Sequence, residues 1–187
     1  ARRQRQMCIR DRNYLKAIWG LKEWSSEPVT ATLIAKQLGL KLSSVSDAVR
    51  KMAKQGLVSH TPYGSVELTE LGRQYALVMV RRHRLLESFL VQALGYAWDE
   101  VHNEAENLEH AVSDMLIERV DKFLDYPTRD PHGDPIPTVD GQITIPSAHR
   151  LTDSGAQSQV TVERISDSDP QLLKFLEERG IVTGAVL

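Results

Sequence analysis

The stretch 102–110 reads His-Asn-Glu-Ala-Glu-Asn-Leu-Glu-His, and it is the most informative segment of the chain. Written as a helix, it places His102, Glu106 and His110 on one face, because residues four apart lie nearly above one another. Glu109 borders the same face. Two acidic side chains on one stripe repel each other unless a cation lies between them. The spacing therefore indicates a metal-binding helix.

Upstream, His83 and Glu87 repeat the four-residue spacing on a second predicted helix. A single His–Glu pair of this kind is more often a surface pair than a pair of metal ligands. Together, however, the two helices offer three imidazoles and three carboxylates. This mixture of nitrogen and oxygen donors suits divalent Mn, Fe, Co or Zn.

Composition limits the class of protein. The chain has 187 residues, 41% of them hydrophobic, which is enough for one or two globular cores. The single cysteine, Cys8, excludes an internal disulfide framework and fits a reducing compartment. We find neither a membrane-length apolar run nor a signal-peptide pattern, and we therefore expect a cytoplasmic protein.

The net charge of −2 conceals a strong asymmetry. Residues 1–84 contain 16 Lys and Arg against 6 Asp and Glu, whereas residues 85–187 contain 7 against 19. A basic front half is typical of a protein that meets a polyanion, and an acidic back half of one that meets cations. Two solvated surfaces of opposite sign would give the same count, so the asymmetry alone does not establish either partner.

The first twelve residues do not resemble the start of a domain. They contain five arginines and no apolar period, and residues 5–12 resemble a sequence artefact joined to a natural chain. We therefore expect residues 1–12 to be an artefact or a disordered tail. An apolar stripe of helical period begins only after Asn13 and ends near Trp24.

Residues 30–68 have the order of elements found in a winged helix. Thr30 is placed to cap a helix that stops at Gly39, and Ser43 or Ser44 to begin another that runs through Lys54. A hairpin with a turn at residues 62–64 follows as the wing. The second helix of such a unit enters the DNA major groove. We therefore expect DNA to contact its exposed polar and basic residues, which are Lys41, Ser43, Ser44, Ser46, Asp47, Arg50, Lys51 and Lys54.

Two long helices are predicted next, one over 69–94 and one from residue 98 or 99 to 124. Their apolar stripes exceed what one helical hairpin can bury, which predicts a homodimer. The loop 126–137 is dense in Pro, Gly and Asp, so we expect its His132 to face solvent and its Asp130 and Asp134 to be turn residues. His149 is likewise expected at the surface. Beyond Leu151, a strand, a short helix and a second strand predict a small β module that is cut short, or one that lies against the helices.

In the order and spacing of these motifs, residues 13–187 resemble the diphtheria-toxin-repressor family of metal-dependent transcriptional repressors, in its manganese-responsive branch. The resemblance rests most on residues 82–87, 101–110 and 133–137. It implies a mainly α fold: a winged helix-turn-helix domain over 13–74, a helical dimerisation and metal-binding domain over 75–146, and an incomplete SH3-like (FeoA-like) domain over 147–187.

The resemblance also implies two metal sites. The ancillary site would consist of His83, Glu87 and His102. The primary site would consist of Glu106, Glu109 and His110, together with a ligand from the first helix. That ligand matches Asn13, where the family usually has Asp or Met, and Asp11 is close by in sequence. In some relatives the C-terminal domain donates to the ancillary site, and Asp169 and Gln171 lie near that position.

The resemblance further bears on the choice of metal. Where this chain has Glu106, the iron-responsive members have Cys, while the manganese-responsive branch has an oxygen donor. A carboxylate is a hard ligand that suits Mn²⁺, so we expect a Mn²⁺-activated repressor of metal-uptake genes, with Fe²⁺ as the alternative. The competing class is a metalloenzyme with an accessory winged helix. That class needs an open metal position beside a catalytic acid or base, and no such motif is seen in the sequence.

Overall fold

A computed structural model describes residues 7–61, 64–155 and 157–187 of the chain. Within these ranges the protein is mainly helical, with seven α-helices and one two-stranded sheet. The chain divides into two compact units, Ala1–Val80 and Arg81–Leu187. This architecture agrees with the predicted fold class.

Helix α1 extends over Ile9–Trp24, so it begins four residues before the start that we predicted at Asn13. Its N-cap is Cys8, whose Sγ accepts a hydrogen bond from the backbone N–H of Asp11. Asp11 is buried, and both of its carboxylate oxygens accept from Nζ of Lys51. These contacts make residues 9–12 the first turn of the helix, whereas residues 1–6 lie outside the described part of the chain.

Helices α2 (Ala31–Leu38) and α3 (Leu42–Lys54) form the predicted helix-turn-helix. Thr30 caps α2 by accepting from the N–H of Leu33, and Gly39 ends it in the left-handed region at φ 63°. The predicted cap of α3 at Ser43 or Ser44 is wrong. The N-cap is Lys41, which makes no side-chain capping bond, so both serines lie inside the first turn of α3.

The wing follows α3 as strands β1 (Val58–His60) and β2 (Val66–Leu68). They pair antiparallel, with Val58 opposite Leu68 and His60 opposite Val66. Of the predicted turn at residues 62–64, the first two lie outside the described residues. Gly72 is required beside the hairpin, because a Cβ there would come within 1.9 Å of the Leu57 carbonyl oxygen.

An apolar core holds the first unit together. The three helices and the hairpin bury side chains at helical or alternating spacing, and the excluded surface stabilises the unit in proportion to its apolar area. The fully or nearly buried members are Tyr14, Leu15, Ile18, Val29, Ile34, Ala35, Val45, Val49, Met52, Leu57, Val58, Val66 and Ala76.

Helix α4 extends over Glu70–Leu94 as predicted, and its part from Arg81 onward belongs to the second unit. The prediction of a single long helix after α4 is wrong. The structure has α5 (Val101–Leu108) and α6 (Asp114–Phe123), separated by a turn. Ser113 starts α6, because its hydroxyl accepts from the N–H of Leu116. A local cap therefore interrupts an apolar periodicity that continues on both sides of it.

Part of the predicted apolar surplus lies on α6. Met115 and Phe123 are 62% and 67% exposed, although the ring of Phe123 contacts Phe89 of α4 edge-on. The inner side of α6 packs Ile117 and Val120 against Leu85, Leu86 and Leu90 of α4. Exposed large apolar groups beside a filled core are typical of a surface that a second copy covers.

The C-terminal region contains α7 (Pro170–Glu177), whose N-cap is Asp169. Two extended segments meet antiparallel at a bridge between Thr161 and Val186, flanked by backbone hydrogen bonds between Val160 and Leu187. Leu173 and Ile165 pack with Trp98 in a third apolar cluster. The SH3-like assignment of this region stays a prediction. No helix in the described ranges has the length and apolar character needed to span a membrane.

Candidate metal centre

Four residues of the second unit offer ligand atoms that lie within 4.8 Å of one another: His83, Glu87, His102 and Asp167. Nε2 of His83 is 2.9 Å from Oε1 of Glu87, and Nδ1 of His102 is 3.2 Å from the same oxygen. The first two side chains come from neighbouring turns of α4, and His102 comes from the first turn of α5. The structure thus brings together the three residues predicted for the ancillary site.

The Glu87 carboxylate is fully buried yet charged. Burial opposes its ionisation, but the charge of His83 and hydrogen bonds from His102 and His83 outweigh that cost and hold its pKa well below the usual range. Its second oxygen, Oε2, is buried and has no hydrogen-bond partner. An ionised carboxylate with an unused oxygen is a donor suited to a cation.

Asp167 is the acid that the C-terminal region contributes, in place of the Asp169 or Gln171 considered from the sequence. Its Oδ2 lies 2.9 Å from Nδ1 of His102. Asp169 instead caps α7 by accepting from the N–H groups of Gln171 and Leu172, and Gln171 is exposed. The helix cap occupies Asp169, whereas Asp167, in the turn before it, reaches the cluster.

The contact between His102 and Asp167 raises the pKa of the histidine and lowers the pKa of the aspartate. For His102, burial disfavours the charge, but hydrogen bonds and charges from Asp167 and Glu87 outweigh it and raise the pKa to about 10. For Asp167, burial would raise the pKa, but the hydrogen bond and charge of His102 lower it. In the metal-free protein a proton on His102 therefore provides positive charge between two carboxylates.

The predicted primary set has a different geometry. Helix α5 ends at Leu108, so Glu109 and His110 lie in the following turn and not on a continuous helical stripe with His102. Glu109 is fully buried, and its Oε2 is 2.7 Å from Nδ1 of His83. Its Oε1 is 3.4 Å from Nε2 of His110. Oε1 of Glu106 lies 4.0 Å from Nδ1 of His83 and 3.9 Å from Nε2 of His102.

His83 consequently joins the two predicted sets. One ring nitrogen faces Glu87 and the other faces Glu109, so His83, Glu106 and Glu109 form a second group with ligand atoms within 4.8 Å. Glu106 is half-buried, whereas His83 and Glu109 are buried. Carboxylate and imidazole donors together fit a divalent cation of the first transition series.

The two candidates on α1 differ in availability. The Asp11 carboxylate is engaged by Lys51, which lies on α3. The Asn13 side-chain oxygen is buried and has no hydrogen-bond partner. Within the first unit, therefore, Asn13 rather than Asp11 retains an oxygen that is free to bind a ligand.

The loop 126–137 differs most from its prediction. His132 is 0% exposed, so the prediction that it faces solvent is wrong. Asp130 is a turn residue as expected, because its carbonyl accepts from the N–H of Gly133, but its carboxylate and that of Asp134 are buried. Arg84 draws the loop inward, since its Nη1 donates to the Pro135 carbonyl and its Nη2 to Asp134. Arg84 could have indicated this burial from the sequence. It lies on the apolar side of α4, and a buried arginine needs carboxylates or carbonyls as hydrogen-bond partners.

The predicted DNA-contacting residues lie on one surface of α3. Lys41, Ser43, Ser44, Asp47, Arg50, Lys51 and Lys54 are exposed, and Ser46 is half-buried. Asp47 forms an ion pair with Arg50 one turn later, and Lys51 pairs with Asp11. Val45, Val49 and Met52 fill the opposite side of the helix, as the spacing predicted.

Two family descriptions match successive parts of the chain. The N-terminal DNA binding domain of the iron dependent repressor matches residues 9–66, and its metal binding and dimerisation domain matches residues 69–138. The iron-dependent repressor IdeR of Mycobacterium leprae is 34% identical over 184 residues, which cover 92% of this chain and 80% of that protein. The diphtheria toxin repressor of Corynebacterium efficiens is 40% identical over 124 residues, covering 66% and 54%.

Solved structures show the same similarity. A manganese-dependent transcriptional repressor in complex with manganese superposes with a TM-score of 0.90 at 52% identity, covering 94% of this chain and 81% of that one. ScaR with bound Zn²⁺ superposes with a TM-score of 0.81 at 32% identity, covering 94% and 82%.

The chain belongs to the iron-dependent repressor family, which includes the diphtheria toxin repressor, and the resemblance noted in the sequence is confirmed. It is a metal-dependent transcriptional repressor with a DNA-binding domain and a dimerisation domain, and the relatives are regulators rather than enzymes.

Proposed function

We propose that the protein is a Mn²⁺-activated repressor that binds operator DNA as a homodimer through α3 and represses metal-uptake genes when Mn²⁺ is plentiful. The observation that carries the proposal is a donor set of carboxylates and imidazoles without a thiolate. The chain's one cysteine is the N-cap of α1 and is not part of this cluster. Mn²⁺ has the lowest affinity of the divalent series, so it depends on hard oxygen donors such as Glu106.

In this proposal His83, Glu87, His102 and Asp167 form the ancillary site, and Glu106, Glu109 and His110 form the second unit's part of the primary site. A bound divalent cation would supply the positive charge that the buried carboxylates share. The chain's own part is to hold those carboxylates ionised, as the pKa of Glu87 indicates, and to release a proton from His102. The similarity to a repressor described as manganese-dependent supports this choice of metal.

Fe²⁺ is the second candidate, because relatives described as iron-dependent repressors are also similar to this chain. Imidazole and carboxylate ligands accept both ions. The position of Glu106 distinguishes them, since the iron-responsive members have a thiolate there and this chain has a carboxylate.

On the DNA side, Ser43 and Ser44 lie in the first turn of α3, where small side chains let the helix N-terminus approach phosphate and base edges. Asp47 is suited to accept from a cytosine amino group, although its pair with Arg50 must then open. Arg50, Lys51 and Lys54 follow along the exposed side for phosphate contacts.

The test begins with selection of duplexes from a random pool by the Mn²⁺-loaded protein. Binding of the selected duplex is then titrated anaerobically with Mn²⁺, Fe²⁺ and Zn²⁺ at equal free concentrations, for the natural sequence and for Glu106→Cys. We expect Mn²⁺ to activate the natural sequence best and the substitution to shift the preference toward Fe²⁺. Zn²⁺ should bind but activate poorly because it prefers four ligands.

Calorimetry adds a thermodynamic check. Metal favours the DNA-binding state only through its higher affinity for that state, so the selected duplex must tighten Mn²⁺ binding by the factor by which Mn²⁺ tightens DNA binding. Equal Mn²⁺ affinity with and without the duplex would contradict metal activation. Activation by Fe²⁺ with no response to Mn²⁺ would contradict the choice of metal alone.

A further inference from the structure

From the loop 126–137 and α4 we infer that the second unit contains an additional divalent-cation site made by Glu87, Asp130 and His132. One ligand atom of each lies within 4.8 Å of the others, and all three residues are buried. The site is distinct from the two sites of the proposed function and shares only Glu87 with them. It rests on the proposed function to the extent that Glu87 also serves the ancillary cluster.

His132 presents a free ring nitrogen in the interior. Its Nε2 lies 3.0 Å from the carbonyl oxygen of Trp98, which can only accept, so Nε2 carries the proton. Nδ1 then holds the lone pair, and it is buried without a hydrogen-bond partner. The ring is stacked on the Trp98 indole at 5.2 Å between centroids, which fixes its plane. A backbone carbonyl that orients an imidazole in this way is the usual outer partner of a metal-bound histidine.

Glu87 presents the second unused atom. His83 and His102 occupy its Oε1, at 2.9 and 3.2 Å, whereas its buried Oε2 has no hydrogen-bond partner. One carboxylate can therefore serve the ancillary cluster through Oε1 and the additional site through Oε2. Carboxylates that bridge two ions in this manner are common in two-metal centres.

Asp130 completes the set. Its Oδ1 accepts from the backbone N–H groups of His132 and Asp134, so the carboxylate is rigidly held. Its Oδ2 forms an ion pair with Nε of Arg84 at 3.7 Å. Arg84 and Arg164 both direct bonds to Asp134, at 3.2 and 2.6 Å. Beside Arg84, one ligand atom each of Glu87, Asp130 and His132 lies within 4.8 Å of the others.

The surrounding fold keeps these two carboxylates and the imidazole in place. Gly133 adopts φ 88°, and a Cβ there would come within 2.1 Å of the Glu163 carbonyl oxygen. Gly133, the residue after His132, therefore packs closely against the backbone of residue 163, and this contact holds the loop in place. One nitrogen and two carboxylate oxygens form a donor set for Mn²⁺, Fe²⁺, Co²⁺ or Zn²⁺, with remaining positions for water.

The test counts bound metal. The full chain is dialysed against Mn²⁺, and the metal content per protomer is measured for the natural sequence, His132→Phe and Asp130→Asn. Phenylalanine keeps the stacking on Trp98, and asparagine keeps the oxygen that accepts the two N–H groups. We expect His132→Phe to bind one equivalent less, and Asp130→Asn to weaken one equivalent by at least about tenfold. His149→Phe, at an exposed histidine, is the matched control and should behave as the natural sequence does.

Crystals of the unsubstituted protein with Mn²⁺ provide a measurement that does not depend on variant folding. An anomalous peak at the manganese edge bounded by Glu87, Asp130 and His132 would support the site. Equal metal content in the natural sequence, His132→Phe and Asp130→Asn, or no such peak in Mn²⁺-loaded crystals, would overturn it. Mn²⁺-dependent DNA binding by the natural sequence tests the proposed function separately, so either inference can fail while the other stands.

Discussion

The two units of the protein bury different kinds of side chain. Among the described residues, ten polar or charged side chains are buried, and nine of them lie in the second unit; the exception is Asp11. The first unit encloses an almost purely apolar core and presents its DNA-contact candidates to solvent. The second unit encloses carboxylates, imidazoles and arginines around α4.

The difference shows how each unit is stabilised. Apolar burial stabilises the first unit without any ligand. A buried charge is unfavourable unless it is paired or bound to a cation. We therefore expect the free energy of unfolding of the second unit to increase when metal binds. The four predictions that follow test this contrast, beginning with the largest expected effect.

Leu15→Ala should destabilise the first unit by about 2–5 kcal/mol, because Leu15 is 0% exposed and its loss leaves a cavity. Mn²⁺ should not restore the loss. Denaturant unfolding followed by tryptophan fluorescence in a Trp98→Phe background reports this unit alone, since Trp19 and Trp24 then remain. The control Leu33→Ala, at a residue that is 38% exposed, should cost far less. A loss for Leu15→Ala below about 1 kcal/mol would contradict the role of the apolar core.

Removing metal should destabilise the second unit. At a free Mn²⁺ concentration 100 times the dissociation constant, binding to the native state adds about 2.7 kcal/mol, and a chelator should abolish that gain. Glu109→Gln should largely remove the response, because Glu109 is a fully buried carboxylate of the candidate primary site. Unfolding monitored through Trp98 in a background with Trp19→Phe and Trp24→Phe measures the effect, and Glu118→Gln on the exposed side of α6 is the control. A full response in Glu109→Gln would remove it from the ligand set.

Metal affinity should rise with pH well above the range of an ordinary histidine. His102 has a pKa of about 10 in the metal-free protein, so its proton must leave when metal binds. Below that pKa, raising the pH lowers the competing proton concentration, and affinity should rise by up to about tenfold per pH unit. The gain flattens above about pH 10. Glu87 and Asp167 are already ionised, since their pKa values are lowered.

Calorimetric titrations with Mn²⁺ between pH 7 and 8.5 measure this slope. Asp167→Asn removes the carboxylate that accepts a hydrogen bond from His102 and raises its pKa, so the slope should shrink over the same range. A pH-independent affinity for the natural sequence above pH 7.5 would show that His102 holds no such proton.

The smallest expected effect concerns the surface of α3. Arg50→Ala should weaken binding to the selected duplex and to random duplexes by a similar factor of about five to ten, and reduce the salt slope by about one. Lys51→Ala should have less effect, because its Nζ is paired with Asp11. Fluorescence anisotropy at several salt concentrations gives both quantities, with Lys22→Ala on α1 as the equal-charge control. Unchanged DNA binding in Arg50→Ala, Lys51→Ala and Lys54→Ala would show that α3 does not dock as proposed.

The sequence predicted the first unit well because its signals are local. Thr30 begins α2 and Gly39 ends it through contacts within a few residues. On α3, the spacing of Val45, Val49 and Met52 predicted which side of the helix is buried. The error at the start of α3 concerned a cap, where neighbouring residues compete for one position. The late start assigned to α1 came from an arginine-rich composition, which does not oppose a helix.

By itself, the sequence predicted α2, α3, the wing and α4, and it singled out candidate donor residues on α4 and α5, because side-chain period and capping chemistry act over one or two turns. Only the tertiary structure decided how the donors meet. His83 faces both Glu87 and Glu109, Asp167 rather than Asp169 reaches His102, and His132 is buried beside Trp98. Each of the last two contacts joins residues more than thirty positions apart, and burial by distant neighbours, not local pattern, sets the charge and availability of those groups.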